Sequence, residues 1–80
     1  MKFERQWIPN YTELEDEELL KQIELLRKEL EDTKNWLEES ANEKGPMAYM
    51  NKRMAKLAHS LAREKYRLYT EEAQKRGILD

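Results

Sequence analysis

The sequence predicts an all-α fold: an antiparallel, coiled-coil-like hairpin of two long amphipathic helices, preceded by an N-terminal arm rich in aromatic residues. Charged residues make up 40% of the 80 positions, with only two glycines and two prolines, a composition typical of long helices. Apolar residues recur three and four positions apart in two separate segments, as on one face of a helix. Between these segments, Gly45 suits the end of one helix and Pro46 the first turn of the next.

A chain of 80 residues is expected to form one domain with a small core. The predicted arm comprises residues 1–11 and the predicted hairpin residues 12–80. Within the hairpin, the first helix is expected to cover about 12–43, the turn 44–46 and the second helix about 46–76.

The ends of both helices have recognisable capping signals. Thr12 and Glu15 have the spacing of a capping box, whereas a later start would put Glu15 itself at the cap. At the other end of the chain, Gly77 suits a helix C-cap, and Ile78 can make the apolar contact of a Schellman motif.

The arm carries the aromatic residues Phe3, Trp7 and Tyr11 together with Ile8. Pro9 keeps Ile8 extended, because the residue before a proline is displaced from the helical region. Aromatic side chains so close together are expected to be covered. Either the arm folds back over the hairpin, or it docks on a partner.

Each helix carries a heptad-like row of side chains, and we expect these two rows to pack against each other. The leucine stripe of the first helix is Leu19, Ile23, Leu26, Leu30, Thr33 and Leu37. The methionine–leucine stripe of the second helix is Met50, Met54, Leu57, Leu61, Glu64 and Leu68.

The second helix has another row beside the first, and we expect it to remain exposed in an isolated hairpin because one partner helix cannot cover both. This alanine–tyrosine stripe is Ala55, Ala58, Ala62, Tyr66, Tyr69 and Ala73. A homodimeric four-helix bundle would cover it, since symmetric dimers are the commonest oligomers. The alternatives are closure by the arm and a different protein partner. The predicted partner-binding or dimer-binding residues are Trp7, Leu25, Trp36, Ala62, Tyr66 and Tyr69.

Charge is distributed unevenly along the chain. Residues 12–44 hold 12 acidic and 5 basic side chains, whereas residues 46–76 hold 8 basic and 3 acidic ones. Five cations of the second helix form a basic arc opposite the alanine–tyrosine stripe: Lys52, Arg53, Lys56, Arg63 and Arg67. A basic helical face can contact phosphates or an acidic protein, although it can equally be a solvated surface. Nucleic-acid binding through the basic arc is therefore an alternative function.

The acidic cluster Glu13–Glu18 allows two interpretations. Carboxylates at a helix N-terminus complement its dipole and increase solubility. Dense carboxylates on a small fold can also imitate a nucleic-acid backbone, so an acidic mimic is a further alternative.

The pattern of reactive side chains predicts a protein that is not an enzyme. There is no cysteine and only one histidine, so we expect no metal site, no cofactor and no small-molecule substrate. His59 is expected to be a surface residue, because no carboxylate lies one helical turn from it. The apolar runs are too short for a membrane span, and the lack of cysteine favours a reducing, cytoplasmic location.

The segment Ile23 to Leu30 resembles the first helix of the small hairpin aspartyl-phosphate phosphatases of sporulating bacteria. Those proteins are also two antiparallel helices, so the resemblance implies the same fold and a phosphatase-like regulatory function. Their second helix carries a Ser-Gln-Glu-Leu-Asp-like signature. The corresponding stretch here, Ala58 to Ala62, retains only the leucine and lacks the terminal aspartate, so no catalytic residue carries over.

The function that these patterns favour is a small protein–protein interaction module acting through an apolar and aromatic helical face. Such a module would be a regulator, an adaptor or an inhibitor. Small regulators of this form include phage-encoded inhibitors of host machinery, which is an argument by analogy.

Overall fold

The computed structural model describes residues 10–79, which form a short 3-10 helix, Tyr11–Glu13, and two long helices. The long helices are α1, Asp16–Ala41, and α2, Ala48–Lys75. They pack against each other in antiparallel orientation, and the described part of the chain has no β-strand. The predicted all-α fold of two packed helices is confirmed.

Helix α1 begins four residues later than the earliest predicted start. Thr12 lies in the 3-10 helix, and its hydroxyl donates a hydrogen bond to Asn10 at 2.6 Å instead of capping α1. Glu15 occupies the N-cap with extended backbone (φ −72°, ψ 160°). The later of the two predicted starts is therefore correct.

The connection between the helices is longer than the predicted turn at 44–46, since α1 ends at Ala41 and α2 begins at Ala48. Gly45 has a φ of 113°, a left-handed conformation that side chains with a Cβ rarely adopt. The N–H of Ala48 bonds to the Gly45 carbonyl at 3.1 Å, so Gly45 and Pro46 lie within the turn that leads into α2. The predictions that Gly45 caps the first helix and that Pro46 lies in the first turn of the second are wrong, because the C-cap of α1 is Asn42 and the N-cap of α2 is Met47.

The predicted Schellman motif closes α2. Gly77 has a φ of 76°, its N–H bonds to the Gln74 carbonyl at 3.0 Å, and the N–H of Ile78 bonds to the Ala73 carbonyl at 3.1 Å. This is the pair of hydrogen bonds that defines the motif.

The leucine stripe of α1 faces α2, as predicted. Leu19, Ile23, Leu26 and Thr33 are buried, and Leu30 and Leu37 are half-buried. The prediction that the methionine–leucine stripe of α2 packs against them is wrong. The alanine–tyrosine stripe does so instead, with four buried members: Ala55, Ala62, Tyr69 and Ala73.

Close approach of the two helices explains this choice. Ala48, Ala55, Ala62 and Tyr69 recur at intervals of seven residues, which keeps one row turned toward a neighbouring helix. Alanine side chains bring two helix axes toward the short end of the usual 8–10 Å separation. Ordering them also costs almost no side-chain entropy. The methionines and leucines of α2 offer more apolar area for burial, but the smaller alanines fit against the leucine stripe of α1.

The core is concentrated at the end of the hairpin that holds the chain termini. There, Leu19, Ile23, Leu26, Tyr69 and Ala73 form one buried cluster. Partly buried side chains surround it: Tyr11, Leu14, Tyr66, Leu68, Ile78 and Leu79. In the half next to the turn, the buried residues are the small side chains Thr33, Ser40, Ala48 and Ala55. We call these two parts the terminal half and the turn half.

Candidate protein-interaction surface

Large apolar side chains of α2 are exposed throughout the turn half. We define this row, which includes the N-cap residue of α2, as the open apolar face: Met47 (64% exposed), Met50 (54%), Met54 (54%), Leu57 (62%) and Leu61 (54%). A single exposed leucine is ordinary in a folded protein, whereas a contiguous apolar row marks an interaction site.

The five residues of this face form one continuous line. Their spacing of three and four residues places successive side chains on the same side of the helix, one above the other. The line runs for about 21 Å at the 1.5 Å rise per residue of an α-helix. It lies beside the buried alanine row, so it borders the groove between the helices.

A salt bridge between the helices identifies the side of the hairpin on which the open apolar face lies. It joins Lys65 Nζ of α2 to Glu29 Oε1 of α1 at 4.0 Å. Leu61 lies one turn before Lys65 on α2, and Leu25 lies one turn before Glu29 on α1. Both leucines therefore lie on the side that the ion pair marks. Leu25 is 54% exposed on this side of α1, and because the helices are antiparallel it lies toward the chain termini from the ion pair, whereas Leu61 lies toward the turn.

The residues predicted to bind a partner are divided between the surface and the interior. Ala62 is fully buried and Tyr69 is 4% exposed, so neither is accessible to another molecule in the hairpin. Tyr66 and Trp36 are half-buried, and Leu25 is exposed. Trp7 lies outside the described residues.

Tyr69 is covered by a residue of the predicted arm. Its ring stacks on that of Tyr11, with the centroids 5.2 Å apart and the planes inclined by 26°. Burial raises the pKa of Tyr69, and the neighbouring Tyr11 phenol raises it further by a smaller amount. Tyr11 is the last residue of the predicted arm, whereas Phe3, Trp7 and Ile8 lie outside the described residues, so closure by the arm stays a prediction.

Polar side chains connect the helices in the turn half. The indole N–H of Trp36 donates to Asn51 Oδ1 at 3.1 Å, and Asn51 Nδ2 donates to Glu43 Oε1 at 2.6 Å. Thr33 Oγ1 lies 2.8 Å from Nδ1 of His59. The prediction that His59 is a surface residue is therefore wrong: it is half-buried, and its partner is a hydroxyl on the other helix rather than a carboxylate on its own.

Arg76 makes a second contact between elements, and no sequence pattern predicts it because its partners outside α2 lie at least 60 positions away. Its guanidinium donates to Glu72 at 2.9 Å, to Asp16 at 3.0 Å and to the Thr12 carbonyl at 3.0 Å. The hydrogen bond to Glu72 is the main cause that raises the pKa of Arg76, and Asp16 raises it further. One side chain thereby connects the end of α2 to the beginning of α1.

All five residues of the basic arc are exposed: Lys52, Arg53, Lys56, Arg63 and Arg67. Arg67 is bound by Glu64 and by Glu71, which raises its pKa and neutralises its charge locally. Arg63 lines a surface groove of about 530 Å³ together with Ser60 and Tyr66. On the helical wheel, this groove and the open apolar face lie on opposite sides of the alanine row.

The acidic cluster includes a contact within the hairpin as well as solvated side chains. Asp16 pairs with Arg76, whereas Glu15, Glu17 and Glu18 line a surface depression with Lys21. Among residues 10–79, no three histidine or acidic side chains are grouped in a way that would hold a metal ion. No helix in this range is both long and apolar enough to cross a lipid bilayer.

The fold and its exposed residues define a helical hairpin with an uncovered apolar face on its second helix. No family model, no curated protein and no solved structure matches this chain.

Proposed function

We propose that this protein is a non-enzymatic protein-interaction module that binds an apolar helical surface through the open apolar face. The observation that supports this proposal is the continuous exposure of Met47, Met50, Met54, Leu57 and Leu61. Complete burial of one such side chain stabilises a complex by about 1.5–3 kcal/mol. Because the five side chains are already partly covered, at 54–64% exposure, each can contribute roughly half of that, and together they offset a substantial part of the cost of association.

The chemistry of the face favours a helical partner. A row with spacings of three and four residues offers the pattern of knobs into which a second amphipathic helix inserts its own side chains. Three of its five residues are methionines, whose flexible thioethers adapt to partners of different shape. A regulator, adaptor or inhibitor requires such a surface.

Position-specific photocrosslinking in the native host tests this proposal. Benzoylphenylalanine would replace Leu57 on the face or, as the control, Lys52 on the basic arc. We expect protein adducts from position 57 but not from position 52. We also expect them to disappear when Leu61→Glu is introduced into the same chain. Equal adducts from both positions, or none from position 57, would refute the proposal.

Nucleic-acid binding through the basic arc is a second candidate. Its support is the exposure of Lys52, Arg53 and Lys56, for which no ion pair is found within residues 10–79. Local neutralisation of Arg67 reduces the positive charge available. Fluorescence anisotropy with labelled DNA and RNA at low salt tests this candidate. Binding that weakens with salt and with Arg53→Glu would support it, and unchanged anisotropy would eliminate it.

A further inference from the structure

The two halves of the hairpin differ in where their large apolar side chains lie. In the terminal half, leucine, isoleucine and tyrosine side chains lie between the helices. In the turn half, alanine, serine and threonine lie between them, while Met50, Met54 and Leu57 point outward. The turn half therefore resembles one layer of a larger core, and a second layer placed on the open apolar face would complete it.

We infer that this second layer is another copy of the same chain. Helix α2 of each copy packs antiparallel on α2 of the other, around a twofold axis that passes near Met54. This inference rests on the proposed function, and it specifies the partner of the open apolar face.

The order of residues along the face is compatible with a twofold axis. Met47 and Leu61 are each seven residues from Met54, and Met50 and Leu57 are four and three residues from it. Counted from Met54, the apolar side chains therefore have nearly the same spacing toward the N-terminal and the C-terminal end of α2. In an antiparallel pair, Met54 then meets its own counterpart and Leu61 meets Met47 of the other copy. A surface that complements itself in this way is what a symmetric dimer requires.

The exposed area lies near the upper end of the range for a monomer and below the area that each partner of a standard dimer contributes. At 54–64% exposure, the open apolar face leaves on the order of 500 Å² accessible. An ordinary monomer has a largest apolar patch of roughly 300–600 Å², and each partner contributes roughly 800 Å² to a standard interface. Side chains at the edge of the contact supply the remainder.

Negative charge on α1, on the side of the hairpin that carries the open apolar face, favours α2 as the helix that contacts the second copy. Glu29 lies on this side, and Asp32 and Glu39 follow it at intervals of three and seven residues. A dimer that placed α1 on α1 would bring these carboxylates together, which is unfavourable. The open apolar face carries no charged side chain in its row. An α2–α2 contact therefore buries apolar residues and leaves the carboxylates of α1 at the edge.

The natural lack of cysteine makes this geometry directly testable. Met54→Cys places a thiol next to the twofold axis, and Lys52→Cys is a matched control on the basic arc. Mild oxidation of the first variant is expected to give a disulfide-linked dimer, because two Cα atoms must lie within about 7 Å to be bridged. The control variant is expected to remain largely unlinked. A mixture of Met47→Cys and Leu61→Cys chains should yield the mixed dimer in preference to either homodimer.

Sedimentation equilibrium gives the oligomeric state without any crosslink. The unmodified chain is expected to be a dimer, and Leu57→Glu is expected to weaken association about thirtyfold or more, as for a central interface residue. Lys56→Glu, at an exposed position on the basic arc, should leave association nearly unchanged. Circular dichroism of Leu57→Glu would show that the helices still form.

The outcomes separate this inference from the proposed function. A cooperatively folded chain that remains monomeric at high concentration would overturn the inference, as would a dimer that crosslinks through Lys52→Cys but not through Met54→Cys. If a monomeric chain still gave adducts to another protein from position 57, the proposed function would survive. If neither self-association nor such adducts occurred, both would fail.

Discussion

Thr33 of α1 and His59 of α2 share a hydrogen bond in the middle of the hairpin, with Oγ1 and Nδ1 2.8 Å apart. The hydroxyl of Thr33 also lies 2.9 Å from the Glu29 carbonyl. A hydroxyl has a single proton, so when it is donated to the carbonyl, the Nδ1–H of His59 must donate to Thr33. The contact joins the two helices where their apolar core gives way to small side chains.

Thr33→Val should therefore destabilise the hairpin by about 1 kcal/mol, because valine has the same shape but leaves Nδ1 of His59 without its partner. Urea denaturation followed by circular dichroism measures this change. A double-mutant cycle with His59→Leu is the control. Additive effects of the two substitutions would show that the hydrogen bond contributes nothing.

Ala62→Leu tests which stripe of α2 faces α1. Ala62 is fully buried in the alanine row, so a leucine there must push the helices apart, and we expect a loss of about 1–3 kcal/mol. Ser60→Leu, at an exposed position of the same helix, should change stability by less than about 0.5 kcal/mol. Thermal denaturation of both variants distinguishes the positions. The reverse order of effects would indicate that the methionine–leucine stripe faces inward after all.

Arg76→Gln removes the charged contacts that join the end of α2 to Asp16 and to the Thr12 carbonyl. We expect a loss of stability that diminishes as salt screens the ion pairs. Arg67→Gln, which breaks exposed pairs with Glu64 and Glu71 within α2, is the matched control and should have a smaller effect. Equal losses from the two substitutions would contradict a linking role for Arg76.

The raised pKa of Tyr69 predicts how stability depends on alkaline pH. The folded chain holds the phenol proton at a pH where the unfolded chain, with a tyrosine pKa of about 10, has begun to lose it. The stability linked to neutral Tyr69 is therefore complete below pH 10 and is lost as pH rises through the raised pKa.

Melting temperatures from pH 8 to pH 11 would test this dependence. Tyr69→Phe, which keeps the ring against Tyr11, should lose less stability than the unmodified chain at the alkaline end of the series. The exposed Tyr49→Phe controls for the loss of a phenol. Parallel curves for all three proteins would refute the assignment to Tyr69.

Local backbone chemistry was predictable from the sequence. Gly77 caps α2 as its position suggested, and the leucine stripe of α1 is the buried one, whereas Gly45 has a positive φ but does not cap α1, whose C-cap is Asn42. These features depend on residues that are close together in the sequence. A helix period or a cap can be recognised without knowing what packs against it.

The inward face of α2 was not predictable in the same way, because the choice depends on the distance between two helices. Alanine offers little apolar area, so hydrophobicity favoured Met54 and Leu57 over Ala55 and Ala62. The fit of small side chains against Leu26 and Thr33 reverses that preference. The contacts of His59 and Arg76 join residues 26 and 60 positions apart, so they appear only once the helices are docked. The residues available to a partner therefore differ from those predicted. Leu25 is exposed, whereas Ala62 and Tyr69 are buried between the helices.

The stacking of Tyr11 on Tyr69 and the cluster around Leu19 have a consequence for how the hairpin opens. Here the apolar cluster joins residues about 50 positions apart, and because the buried side chains near the loop are small, we expect the loop end to open more readily. Amide hydrogens around Ser40 and Ala48 should exchange with solvent sooner than those around Leu26 and Tyr69. The chain must close its largest loop before it gains most of its stabilising contacts, which slows folding. A nick between 42 and 47 would therefore leave two fragments that still recognise each other.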